Sequence, residues 1–226
     1  MSINVQSSPT FQFPISKDYK KKKVINILFY DSTLPELELL LKGVDPSYIL
    51  VPLDRSQDFN NFFQNWTSEN NIYQINRLGV LAHGTTGNIH IGSSSINSSY
   101  IHKNNLFGTV DISEIYLFSC FVGKDSEFIE NIEKFSGAKV FYSEHKLGLT
   151  DNGISWNLRT KNTEYQANNI TPFSRKSAAL WKHSLNLFLF SAEVGAAGGG
   201  AAAGTLLNNP AGFTGGISGS FSATGP

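Results

Sequence analysis

Gly79-Val-Leu-Ala-His83-Gly84 and, further along, Ile115-Tyr-Leu-Phe-Ser-Cys120 are the two stretches that decide how this chain folds. Each is a short apolar run that stops at a side chain capable of chemistry. A continuous apolar run of this length fits a strand buried on both faces, the kind found in parallel sheets. Working outward, Val24–Tyr30, Tyr48–Leu53 and Lys139–Tyr142 read as further strands. Between them lie segments with apolar residues at helical spacing: Leu34–Lys42, Asp58–Trp66, Ser98–Lys103 and Ser126–Phe135. A hairpin is expected around Gly87–Gly92, one more strand at Trp156–Arg159, and a last helix over Ser174–Leu185 carrying Trp181. This alternation predicts a three-layer α/β/α sandwich with a mostly parallel sheet. In such sheets ligands sit at the carboxyl ends of the strands, and Asp31, His83 and Cys120 all fall there.

Composition bounds the rest. The chain has 226 residues with 18 Lys+Arg against 18 Asp+Glu, so the formal net charge is zero and no overall field draws nucleic acid or an anionic membrane. The single cysteine, Cys120, excludes a fold stapled by intrachain disulfides. No stretch approaches the roughly 18 apolar residues of a membrane span, and the first ten residues lack the basic start and apolar run of a leader peptide. Residues 1–19 read as a loose arm, 20–185 as the folded domain, and 186–226 as a Gly/Ala-rich tail or linker. Ten of the 20 glycines lie between Gly195 and Gly225, a composition that specifies no packed core.

The two strand ends carry complementary groups. A thiol becomes a good nucleophile when a neighbouring imidazole takes its proton, so Cys120 and His83 form a candidate dyad. The backbone N–H groups of Gly84 and Cys120 could together hold an oxyanion. A helix following Cys120 would add a positive dipole end that favours the thiolate. Such a site requires Cys120 to be accessible and unusually reactive near neutral pH.

An apolar strand ending in His-Gly, followed by one ending in Ser-Cys, resembles the caspase-like cysteine peptidases. The stretches Ile27–Ser32, Leu81–Gly92, Phe118–Gly123, Phe135–Val140 and Gly153–Leu158 look most like the family named domain of unknown function 4347, found in large bacterial surface and repeat proteins. Many relatives carry glycine where Ser119 stands. The resemblance implies a caspase-like fold, a Cys-His dyad without an obligatory third residue, and a peptide or protein substrate. It implies a cysteine endopeptidase that processes its own chain or acts on a surface-protein partner. The alternative is a non-enzymatic module of a surface protein used for export, anchoring or interaction. In the peptidase reading Asp31 would line the pocket for the residue before the scissile bond, where an acid suits Arg or Lys; equally, it fits the cap of the following helix.

No cofactor is expected. The spacing of His83, His90, His102, Cys120 and His145 matches no common zinc pattern, and Gly84-Thr-Thr-Gly87 lacks the ending of a phosphate loop. His145 reads as a surface residue. Localisation stays open between the cytoplasm and export without a cleaved leader.

Overall fold

Strand β1 (Ile25–Asp31) is apolar through its centre because both of its faces are covered. Ile27 and Phe29 join the apolar cluster on one side of the sheet and Leu28 the cluster on the other, and all three are fully buried. The structure, a computed structural model, describes residues 24–161, 163–165 and 172–186. The expected arm at 1–19, and the tail beyond Asn186, lie outside the described residues.

From β1 the chain runs through α1 (Leu37–Leu41), β2 (Tyr48–Leu53), α2 (Phe59–Glu69) and β3 (Gln74–Leu81). Three short antiparallel strands follow, β4 (His83–Thr85), β5 (Asn88–Ile91) and β6 (Ser94–Ile96), then helix α3 (Ser98–Asn104). Next come β7 (Asp111–Phe118), a 3₁₀ turn at Val122–Lys124, α4 (Ser126–Ser136) and β8 (Lys139–Phe141). Two hairpins pair β9 (Gly148–Thr150) with β10 (Gly153–Ser155) and β11 (Leu158–Thr160) with β12 (Thr163–Tyr165), before α5 (Arg175–Leu180).

The central sheet has the order β2-β1-β3-β7-β8, parallel throughout. Helices α2, α3 and α4 supply Phe59, Phe63, Ile101, Phe128, Ile129 and Ile132 to one face, while α1 and α5 supply Leu37, Leu40 and Ala178 to the other. The α/β sandwich expected from the strand–helix alternation is therefore the observed architecture. On the first face Phe29 is ringed by Phe59, Phe62, Phe63 and Trp66, with centroids 5.7–6.2 Å away. Helix α2 starts where expected because the Asp58 carboxylate accepts the Asn61 N–H. Among the described residues no helix is long and apolar enough to cross a membrane.

Strand order reverses between β1 and β3: the chain goes from β1 outward to β2, then returns to lay β3 on β1's other side. Open α/β sheets form their crevice at such a point, outside the carboxyl ends. Here those ends are Asp31 on β1 and the Ala82-His83 step after β3.

Three local expectations change. Asp31 does not cap α1; its carboxylate accepts the N–H and hydroxyl of Thr33 in a tight turn, and α1 begins only after Glu36. The hairpin near Gly87 is three-stranded. The last helix stops at Leu180 rather than Leu185, and the chain then runs extended, bridging Ser184 to Gly148 and Asn186 to Gly84.

Candidate active site

Parallel register carries the two sequence motifs together. The last ladder pair of β3 and β7 is Leu81 with Phe118. Past that pair the ladder ends, and β4 pairs with β5 in a separate sheet. The strands stay joined past the ladder: the Ala82 N–H donates to the Phe118 carbonyl at 3.1 Å, and the Ser119 hydroxyl donates to the Ala82 carbonyl at 3.0 Å. The Ser119 side chain thus cross-links the two strand ends. Gly84 lies so close that a Cβ there would stand 2.6 Å from the Cys120 carbonyl oxygen and 2.9 Å from the Cys120 nitrogen. Only glycine lets these two backbones meet.

The thiol is enclosed. Cys120 has no exposed surface. The Leu147 N–H donates to its sulfur at 3.1 Å, and the Ser184 hydroxyl lies 3.8 Å from it. Burial pushes the thiol pKa up, against hydrogen bonds from the Leu147 backbone, the Ser184 side chain and the Leu185 backbone. The expected accessible thiolate is therefore absent from this arrangement. Its helix-dipole support is absent too, since the next α-helix begins at Ser126, after an intervening 3₁₀ turn.

His83 is buried as well, and desolvation lowers its pKa. A hydrogen bond to the Leu185 backbone and the negative charge of Asp31 pull it back up, and the charge of Arg55 pushes it down. His90 sits opposite His83 in the β4–β5 register, and both burial and the charge His83 can carry lower its pKa. Burial thus favours the neutral ring of His83, the form a general base requires.

Segment 183–186 completes the site. It lies antiparallel to residues 147–149: the Leu149 N–H donates to the His183 carbonyl at 2.6 Å and the Leu185 N–H to the Leu147 carbonyl at 3.1 Å. On its other side the Gly84 N–H, one of the two expected oxyanion donors, donates to the Leu185 carbonyl at 3.0 Å. Leu185 itself is fully buried, in the apolar cluster that holds Leu81, Leu147 and Trp181.

Residues 27–185 match the family model described as domain of unknown function (DUF4347). The chain belongs to that family. No curated protein and no solved structure matches it. The match takes in both strand ends and the covering segment of this DUF4347 domain as far as Leu185. Among the described residues no group of three or more His, Cys, Asp or Glu side chains is arranged to hold a metal ion. His145 is exposed, and only its backbone enters the site, accepting the Phe121 N–H at 3.1 Å. An open cleft of about 470 Å³ lies beside β2, lined by Ile49, Pro52, Phe62 and Trp66 among others, and includes none of His83, Gly84 or Cys120.

Sequence reasoning missed Leu147, Ser184, Leu185 and His90. His90 was within reach, since hairpin pairing puts it opposite His83. The covering segment was hidden because Ser177, Trp181 and Leu185 fall at helical spacing, and only the weak helix formers Ser184 and Asn186 argued otherwise.

Proposed function

We propose that this DUF4347 domain is a cysteine endopeptidase of the caspase-like kind, with Cys120 as nucleophile and His83 as its acid and base. The observation that carries this reading is the close packing of Gly84 on the Cys120 backbone, which sets the two sequence motifs side by side, with the Gly84 N–H donating to the Leu185 carbonyl at 3.0 Å. A thiol, a base and an oxyanion donor on adjoining strand ends are the parts that acyl transfer needs. His83 takes the thiol proton as sulfur attacks the carbonyl carbon. It gives that proton to the leaving amine, then activates the water that hydrolyses the thioester. The N–H groups of Gly84 and Cys120 hold the tetrahedral oxyanion. Asp31 acts on the dyad through its charge on His83.

The test is hydrolysis of a fluorogenic peptide library by the full chain. Turnover is expected, and Cys120→Ala and His83→Ala should each lower it by roughly 10⁴-fold or more, the order seen when members of such a unit are removed. Equal background in all three proteins overturns the reading. The library also decides the role of Asp31: a preference for Arg or Lys before the cut bond places its carboxylate against substrate, and an apolar preference leaves it a partner of His83. One observation favours the second reading, a binding module of a surface protein: the resting thiol is buried and its pKa raised. That module would behave identically with and without Cys120.

A further inference from the structure

Segment 183–186 is held as a peptidase holds a substrate. An extended peptide binds by adding a strand, with main-chain hydrogen bonds for affinity and a pocket for specificity. Here the residues before the candidate bond, His183 and Leu185, make main-chain bonds to Leu149 and Leu147. The Leu185 side chain is the fully buried anchor. Its carbonyl receives the Gly84 N–H at 3.0 Å, and the Cys120 sulfur lies 3.8 Å from the hydroxyl of the preceding Ser184. On the far side of the bond the Asn186 N–H donates to the Ser184 hydroxyl at 3.1 Å, which fixes the plane of the leaving amide. Gly148 permits the close approach: its φ is +86°, and a Cβ there would lie 2.3 Å from the His183 carbonyl oxygen.

From this we infer that the first substrate of the site is its own chain, cut in cis at Leu185–Asn186. The inference rests on the Cys120–His83 reading above. The sulfur of Cys120 bonds to the Leu185 carbonyl carbon while the thiol proton passes to His83. The Leu185–Asn186 bond breaks as that proton moves to the Asn186 nitrogen. Water then adds to the thioester, leaving a Leu185 carboxylate, an amino-terminus at Asn186 and a regenerated thiol. The Gly/Ala-rich region from Asn186 onward is thereby released. Leucine before the bond defines the preference in trans, an apolar rather than a basic residue.

The experiment follows the purified full chain over time by intact mass and by sequencing of new amino-termini. The expected result is one new terminus, Asn186, appearing at a first-order rate independent of protein concentration, and none in Cys120→Ala or His83→Ala. A thiol-directed peptide probe is applied to the same samples. A native chain that stays whole, or is cut elsewhere, while Cys120 still takes the probe in a His83-dependent manner, overturns self-cleavage and leaves the peptidase reading standing. A whole chain without such labelling sinks both. A cleavage rate that rises in proportion to concentration overturns the cis step.

Discussion

Gly84 shows how a single side-chain position governs this site. The atoms that an added Cβ would meet belong to the Cys120 backbone and the Ser119 Cβ, which cannot rotate away. Gly84→Ala is therefore expected to cost about 1–3 kcal/mol of stability, the usual penalty of overpacking. It should also lower peptide turnover about 100-fold or more, since the displaced N–H is an oxyanion donor. Thermal melting and turnover read both, and a variant unchanged in both contradicts the close packing. The titration of the dyad gives a second prediction. Burial lowers the His83 pKa and raises that of Cys120, so the neutral pair persists across the neutral range. Cleavage should accordingly hold steady from neutral into mildly alkaline pH and fall only below the ordinary histidine pKa of about 6.5. A loss of activity centred above pH 7 would contradict a neutral, desolvated base. That the strand ends carrying His83 and Cys120 adjoin is legible in the sequence, because each ends an apolar run and parallel ladders align such ends. That the thiol would be covered is not, because the groups over it, Leu147 and Ser184, come from elements whose pairing is remote in sequence.

Segment 181–186 is the element on which the covering depends. Trp181 is fully buried, packs on Trp156 at 5.6 Å, and donates its indole N–H to the Pro35 carbonyl at 2.8 Å. Leu185 anchors the far end. If this segment opens locally, the Ser184 side of the sulfur is uncovered without unfolding the sheet. Leu185→Ala should cost about 2 kcal/mol or more. If the cost falls on local opening, modification of Cys120 by a small thiol reagent speeds up by roughly 30-fold, at about 1.4 kcal/mol per factor of ten. An unchanged modification rate would mean that the segment does not shield the thiol. The central strands and the first four helices are readable because their apolar periodicity is local, and at α2 and α4 so are the caps, Asp58 and Asp125. The β9–β10 hairpin and the extended run after Leu180 are not. Their residues carry no strong local preference, and hydrogen bonds to Gly84, Leu147 and Leu149 decide their conformation.

At the scale of the whole molecule, the two clusters on either side of the parallel sheet set stability, and buried histidines set its dependence on pH. His83 and His90 both have lowered pKa values in the folded state. A depressed pKa contributes stability above the unfolded value and loses it as pH falls, because the unfolded chain binds the protons first. Stability to urea should thus decline as pH drops below about 6.5, and His83→Gln should blunt that decline. An acid limb identical in the native chain and His83→Gln would show that His83 is not held neutral by burial. The most direct test of the central claim, that Cys120 and His83 act as one catalytic unit, is covalent labelling of the full chain by a thiol-directed peptide probe, mapped by mass spectrometry. The account predicts one label, on Cys120, acquired at least 100-fold faster in the native chain than in His83→Ala. Equal labelling rates in the two proteins, or none in the native chain, would contradict it.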